Sequence, residues 1–357
     1  MPSLETPPKS KTSANVVGVA VSGHPATSPT LVNQIVAYAS IARPDHWLKN
    51  VFMLIGVVLA VFYKPDLVEG VGLLEKLVNF HWTTLLLGFA ATCLVASSNY
   101  VLNEILDAPT DANHPEKHNR PIPSGLISLP WAYLEWLLVA AAGFTCAWLV
   151  NWPFFAAALS LWIMGLIYNV RPIRSKELPY IDVLSESVNN PLRLVLGWFV
   201  VSASTIPPVS LLVAYWMVGA FFMASKRFAE YRMIADKSRA AAYRKSFAHY
   251  NDDRLLVSMF FYVSAAAMFL GIFIIRYHLE LILSIPLIAG FFSMYLRMSL
   301  KPDSAAQAPE RLFRESGLML YLVICVTAFV LLMFVRIDAL YHWFNVTPSE
   351  LPTLWKI

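Results

Sequence analysis

Only three cysteines occur in the 357 residues, Cys93, Cys146 and Cys325. Each lies inside an apolar run and none forms a CxxC pair, which excludes a disulfide framework and a thiolate zinc site and leaves them as small buried hydrophobes. The motifs of soluble nucleotide and metal enzymes are missing too: there is no GxGxxG, no Walker A glycine loop and, among eight histidines, no HExxH. Charge is scarce, at 14% of residues. The first ~20 residues lack a charged segment followed by an apolar core, so no cleaved signal peptide is expected.

What the chain has in quantity is apolar surface, with 57% hydrophobic residues and a mean hydropathy of +0.56. No ordinary soluble domain carries that composition; it defines an all-α integral membrane protein with several spans. Residues 1–30 are rich in Ser, Thr, Pro and Val and read as a disordered tail. Residues 31–49 place Val32, Ile35, Val36, Tyr38 and Ile41 at near-helical spacing and predict an interfacial amphipathic helix, anchored by Trp47 and Lys49. Apolar stretches follow at 50–64, 82–103, 131–150, 152–170, 180–203, 207–225, 255–275, 279–297 and 315–336. They predict nine transmembrane helices within one domain, 31–340, and a short C-terminal extension, 341–357.

Of the 27 lysines and arginines, 21 fall in the N-terminal segment and in the loops after the second, fourth, sixth and eighth spans. Such asymmetry places the N-terminus in the cytoplasm and, with nine spans, the C-terminus outside.

Polar residues concentrate at the ends of three spans on that same side. Asn99, Asn103 and Asp107 are spaced four apart and stack on one helix face, and Pro109 is expected to break the helix so that Asp111 folds back beside them. Two carboxylates so close repel unless a cation lies between them, and an oxygen-only set of Asn103, Asp107 and Asp111 suits Mg²⁺ carrying a diphosphate. Lys117 and Arg120 follow as phosphate donors. After the fourth span come Tyr168, Arg171 and Arg174, then Asp182 and Glu186 four apart, with Arg193 eleven residues beyond Asp182. Charged groups inside a span are costly and normally face a cavity. Lys226, Arg227 and Glu230 form a third group, either a phosphate rim or an exposed ion pair. The later run of Lys237, Arg239, Arg244 and Lys245 reads as a solvated or headgroup-facing surface.

At these residues the chain resembles the UbiA superfamily of intramembrane transferases, whose hallmark Asn-Asp-x-x-Asp-x-x-x-Asp motif stands here as Asn103, Glu104, Asp107 and Asp111. Arg43 to Asn50, His114 to Pro121, Tyr168-Asn169 and Lys226 to Glu230 look most like the decaprenyl-phosphate phosphoribosyltransferases within that superfamily. The resemblance spans residues ~40–330. It implies a nine-helix bundle around a lipid-open cavity at the cytoplasmic face of a bacterial inner membrane. Its implied reaction is Mg²⁺-dependent transfer of 5-phosphoribose from phosphoribosyl diphosphate to a polyprenyl phosphate. In that reading Asn103, Asp107, Asp111 and Asp182 hold metal, and Asp182 with Glu186 completes the catalytic acids. Lys49, Lys117, Arg120, Tyr168, Arg171, Arg174, Lys226, Arg227 and Glu230 bind substrate, and Arg193 meets the acceptor phosphate. A second reading keeps the metal but moves a prenyl group from prenyl diphosphate to an aromatic or other acceptor. The third is a transporter, which should carry its charges near midplane in two related halves; no internal repeat is present. Membrane lipids are expected partners and nucleic acid is not.

Overall fold

The computed structural model of the protein describes residues 31–63, 82–112, 117–234, 244–301, 304–307, 312 and 314–347. The expected tail, 1–30, and residues 348–357 of the expected extension lie outside the described residues, as do Lys237 and Arg239.

Helix α1 (Leu31–Ile41) ends in a left-handed turn at Arg43, φ 50°, and a 3₁₀ segment, Pro44–Phe52, leads straight into α2 (Met53–Tyr63). The single amphipathic helix expected over 31–49 is therefore two pieces. Its turn comes just before Pro44, which disfavours helical backbone at the preceding residue. Helices α3 (Trp82–Asp111), α4 (Leu129–Val150) and α5 (Trp152–Asn169) follow. Then come α6 (Ile181–Ser187), α7 (Asn189–Val201), α8 (Val209–Met233), α9 (Asp252–Tyr277), α10 (Ile285–Ser299), α11 (Ser316–Phe334) and α12 (Asp338–Trp343). No β-strand occurs among the described residues. Eight stretches among them are long and apolar enough to cross a bilayer. The expected fifth span is not one of these, because it is broken into α6 and α7 at Val188. Pro191 explains the break: it has no N–H to give the Ser187 carbonyl.

Large apolar side chains such as Leu138, Phe260 and Leu331 point outward, each at least 60% exposed, as a lipid-facing surface requires. Three apolar clusters fill the interior, the smallest joining Ile41 of α1 to Val101 and Ile105 of α3; the two larger ones make the body of the bundle. One gathers Phe154, Leu194 and Trp198, and the other Phe228, Phe247, Leu255 and Met259. Helices α2 and α7 cross with their backbones in contact, because a Cβ on Gly56 would strike the Leu194 carbonyl and one on Gly197 the Met53 carbonyl. That approach brings Asn50, just before α2, against Arg193 of α7.

Helix α3 does not stop at Pro109. It continues to Asp111, and Ala112 N–H still bonds the Ala108 carbonyl at 3.0 Å. Proline this close to a helix end removes one internal bond and leaves the last turn intact. Asp111 thus continues the Asn99–Asn103–Asp107 face by one more turn instead of folding back.

Candidate active site

The four-residue stripe on α3 forms one wall of a cavity of about 1060 Å³. The 3₁₀ segment, α5, the 170–180 loop, α6, α7 and α8 supply the remainder. Gly165 on α5 makes the first contact possible. A Cβ there would collide with the Asn99 amide, so the bare glycine lets Asn99 Nδ2 donate to the Leu161 carbonyl at 3.1 Å. A Cβ on Gly219 of α8 would likewise collide with the Asn190 amide nitrogen. Two buried cavity atoms, Asn99 Oδ1 and Asn189 Oδ1, accept no hydrogen bond from the described residues.

Every carboxylate on the α3 wall already meets a cation. Asp107 Oδ1 accepts from Lys176 Nζ at 2.6 Å and from an Arg174 guanidinium nitrogen at 2.9 Å. Asp111 Oδ2 accepts from Arg120 at 2.6 Å. Lys176 also donates to Asn103 Oδ1 at 3.1 Å and Asn169 Oδ1 at 2.9 Å. Burial pushes the Lys176 pKa below its usual value, with Asp107 opposing that shift. Glu177 beside it is held below the usual carboxylate range: burial pushes it up, but the Lys245 hydrogen bond and the charges of Lys245 and Arg174 outweigh burial.

The opposite wall turns on Arg227, which is buried on α8 and touches three carboxylates. It donates to Glu186 at 2.6 Å, Glu230 at 3.2 Å and Asp182 at 3.3 Å. Tyr168 donates its hydroxyl proton to Glu186 at 3.0 Å and accepts from Arg244 at 3.2 Å. Lys226 stands 4.0 Å from Glu230. Deeper, Arg193 donates to Asn50 Oδ1 at 2.9 Å and to the Asn189 carbonyl at 3.3 Å, and pairs with no carboxylate among the described residues.

Most of the expected residues meet at this cavity: Lys49, Asn103, Asp107, Asp111, Arg120, Tyr168, Arg171, Arg174, Glu186, Arg193, Lys226, Arg227 and Glu230 all line it. Lys117 begins a short 3₁₀ turn, and its side chain lies outside what is described. Asp182 departs from expectation. It is fully buried and absent from the cavity wall, and its oxygens accept from Tyr250 at 2.6 Å, Ser246 at 3.2 Å, and Arg227 and Arg244 at 3.3 Å each. Arg244, read as part of a solvated face, is instead folded onto that buried carboxylate and lines the cavity. Lys176, Asn169 and Asn50 were absent from the expected set. Lys176 stands inside the very run that supplied Arg171 and Arg174, and that proximity was the available signal.

Glu104, at the motif position where the family has aspartate, turns away from the cavity. Its Oε1 accepts the Ile122 N–H at 3.4 Å and so ties α3 to the loop that carries Arg120.

Whether this wall suits a hard divalent cation is answered by its donor set. No three acidic, histidine or cysteine side chains converge among the described residues. Carboxylate and amide oxygens from Asn103, Asp107 and Asn169 do converge, and on a cation, the Lys176 ammonium. An all-oxygen set of that kind fits Mg²⁺; Asp182 lies off the cavity wall with both oxygens already bonded.

Helices long and apolar enough to cross a membrane, around a polar, cation-rich cavity at one end of α3, α5 and α8, define a membrane-embedded protein built to bind anionic groups. The chain belongs to the UbiA prenyltransferase family, whose model matches residues 70–323. Among relatives, the nodulation protein NoeC of Azorhizobium caulinodans is 29% identical over 190 residues, 53% of this chain and 55% of that protein. The decaprenyl-phosphate phosphoribosyltransferase of Mycobacterium tuberculosis is 26% identical over 226 residues, 62% of this chain and 68% of that enzyme. The match thus spans about half of the first relative and two thirds of the second. Among solved structures, a UbiA homolog from Archaeoglobus fulgidus bound to GPP and Mg²⁺ shares the fold at a TM-score of 0.60 and 20% identity, covering 84% of this chain and all of that one.

Proposed function

We propose that this transferase moves 5-phosphoribose from phosphoribosyl diphosphate to a polyprenyl phosphate, releasing diphosphate. The observation that carries this reading is the charge of the cavity: its described lining includes eleven lysines and arginines against five aspartates and glutamates. A donor with three phosphates and an acceptor with one need such a surplus, whereas a prenyl diphosphate and a neutral acceptor need much less of it.

In this reaction the bond from ribose C1 to the diphosphate oxygen breaks and one from C1 to a lipid phosphate oxygen forms. Asn103, Asp107 and Asn169, with Asp111 one turn further along α3, would hold Mg²⁺, which supplies positive charge to the departing diphosphate. Arg120, Arg171 and Arg174 bind the diphosphate oxygens, and Lys226 with Lys49 the 5-phosphate, so that the sugar is fixed as it gains oxocarbenium character. Glu186 orients Arg227 and Tyr168 at the cavity edge, and Asp182 anchors Arg227 and Arg244 from behind. Arg193, which lines the cavity and pairs with no carboxylate among the described residues, receives the acceptor phosphate. The lysine and arginine asymmetry supports a cytoplasmic cavity mouth and N-terminus in a bacterial inner membrane.

The test combines protein in detergent with Mg²⁺, a short polyprenyl phosphate and phosphoribosyl diphosphate, and seeks the lipid phosphoribose by mass spectrometry. Product that vanishes with chelator supports the proposal. Product formed only from a prenyl diphosphate and an aromatic acceptor would move the protein to prenyl transfer, a reading favoured by the GPP held in the archaeal homolog.

A further inference from the structure

The Lys176 ammonium has three N–H bonds, and all three are used within the protein, on Asn103, Asp107 and Asn169. Those oxygens come from α3 and α5, and Lys176 reaches them from the loop that follows α5. While it is there, Lys176 has no donor left for a phosphate. Asn103 and Asp107, in turn, have that oxygen face committed to an ammonium. A divalent ion at the same oxygens would stand within a few ångströms of a positive charge, an arrangement of strong repulsion in a site so poorly solvated. Occupancy by lysine and by metal is therefore exclusive.

We propose that Lys176 is a built-in cation that neutralises the Asn103–Asp107–Asn169 oxygens in the metal-free protein and is displaced by the divalent ion. Its freed ammonium then becomes a ligand for the donor's phosphates. This rests on the divalent-metal part of the proposed function. It accounts for a lysine that is buried yet lines the cavity, since a side chain anchored in the loop can swing from the wall into the lumen. It also couples two events: phosphate-binding donors appear only once the metal that must accompany the phosphates has arrived. Apparent metal affinity in the free protein is lowered by the fraction of molecules in which lysine fills the site.

Mn²⁺ alone, without substrate, is the probe. Its binding to purified protein in detergent is read by electron paramagnetic resonance for wild type, Lys176→Met and Asp107→Asn, while acetylation of Lys176 is followed by mass spectrometry with and without Mn²⁺. Lys176→Met is expected to bind Mn²⁺ at least about tenfold more tightly than wild type, as when a competent state of one tenth population becomes the only state. Asp107→Asn is expected to lose binding. In wild type, Mn²⁺ should speed acetylation at Lys176, the reverse of the protection that a bound ligand usually gives. Lys176→Met binding no tighter than wild type, or an acetylation rate unmoved or slowed by Mn²⁺, overturns the lysine proposal while leaving the metal site standing. Absence of Mn²⁺ binding in both wild type and Lys176→Met overturns the metal reading and this inference together. Should Lys176→Met fail to fold by gel filtration and circular dichroism, Lys176→Gln and the labelling of wild type decide the matter.

Discussion

Tyr250 and Asp182 lie 68 residues apart in sequence, and the phenol donates to the carboxylate Oδ1 at 2.6 Å inside the protein. With Ser246, Arg227 and Arg244 on the other oxygen, this carboxylate fastens the 244–250 segment and α8 to the start of α6. Removing it takes from Arg244 its carboxylate partner among the described residues and opens a buried void beside Arg227, which keeps Glu186 and Glu230. Asp182→Ala should therefore cost about 3–5 kcal/mol of stability, and Tyr250→Phe at least about 1.5–3 kcal/mol, because it removes the bond to the carboxylate and also the acceptor of the Tyr180 N–H at 2.6 Å. Thermal unfolding in detergent measures both. An Asp182→Ala protein that melts like wild type but no longer binds Mn²⁺ would make Asp182 a metal ligand after all.

Asp107 and Asp111 are a different case, because both line the cavity and Asp182 does not. Alanine at either position should lower transfer at least about a hundredfold, the upper range for losing even an indirect metal partner. Helical content should not change. Turnover within tenfold of wild type in either variant would exclude that residue from the metal set.

Much of this arrangement is legible before folding. Runs of apolar residues mark the spans, and a period of four puts Asn99, Asn103 and Asp107 on one face because helix geometry leaves no alternative. Pro191 within a polar stretch signals a break, and α6 and α7 do part there. What local pattern cannot carry is which side of a wall a charge occupies. Asp182 and Glu186 share a face of one short helix, yet Ser246 and Tyr250 from a distant loop close over the first and leave the second on the cavity. The same limit hid Arg244, whose basic neighbours resemble a solvated surface until Asp182 is seen beneath it. Pro109 misleads in the other direction: its local preference for breaking a helix is overridden within the last turn, where only one bond is lost.

In the proposed reaction Arg193 binds the acceptor and not the donor. With its guanidinium held by Asn50 and the Asn189 carbonyl, Arg193→Ala should raise KM for the polyprenyl phosphate on the order of tenfold or more, the loss of one charge-assisted contact. KM for phosphoribosyl diphosphate should stay within about twofold. Lysine at this position keeps the charge but loses the planar fork, so Arg193→Lys should recover only part of the effect. Equal increases for both substrates would place Arg193 at a shared site and remove its assignment to the acceptor.

Gly165 offers a test of the packing on which the α3 wall depends. A Cβ there meets the amide carbon, oxygen and nitrogen of Asn99 closer than real side chains approach, whereas a Cβ on Gly271 of α9 has no heavy atom within 4 Å. Helix propensity favours alanine at both sites by about 1 kcal/mol, so any difference between the two variants reports the neighbouring side chain. Gly165→Ala must push Asn99 aside or part α3 from α5, at a net cost of about 1–3 kcal/mol. It should also lower transfer, because the displaced amide enters the cavity. Gly271→Ala should melt at or slightly above the wild-type temperature with full activity. If both variants melt alike, the close approach of α3 and α5 at Asn99 is not part of the fold, and the stripe from Asn99 to Asp111 loses its anchor at the deep end.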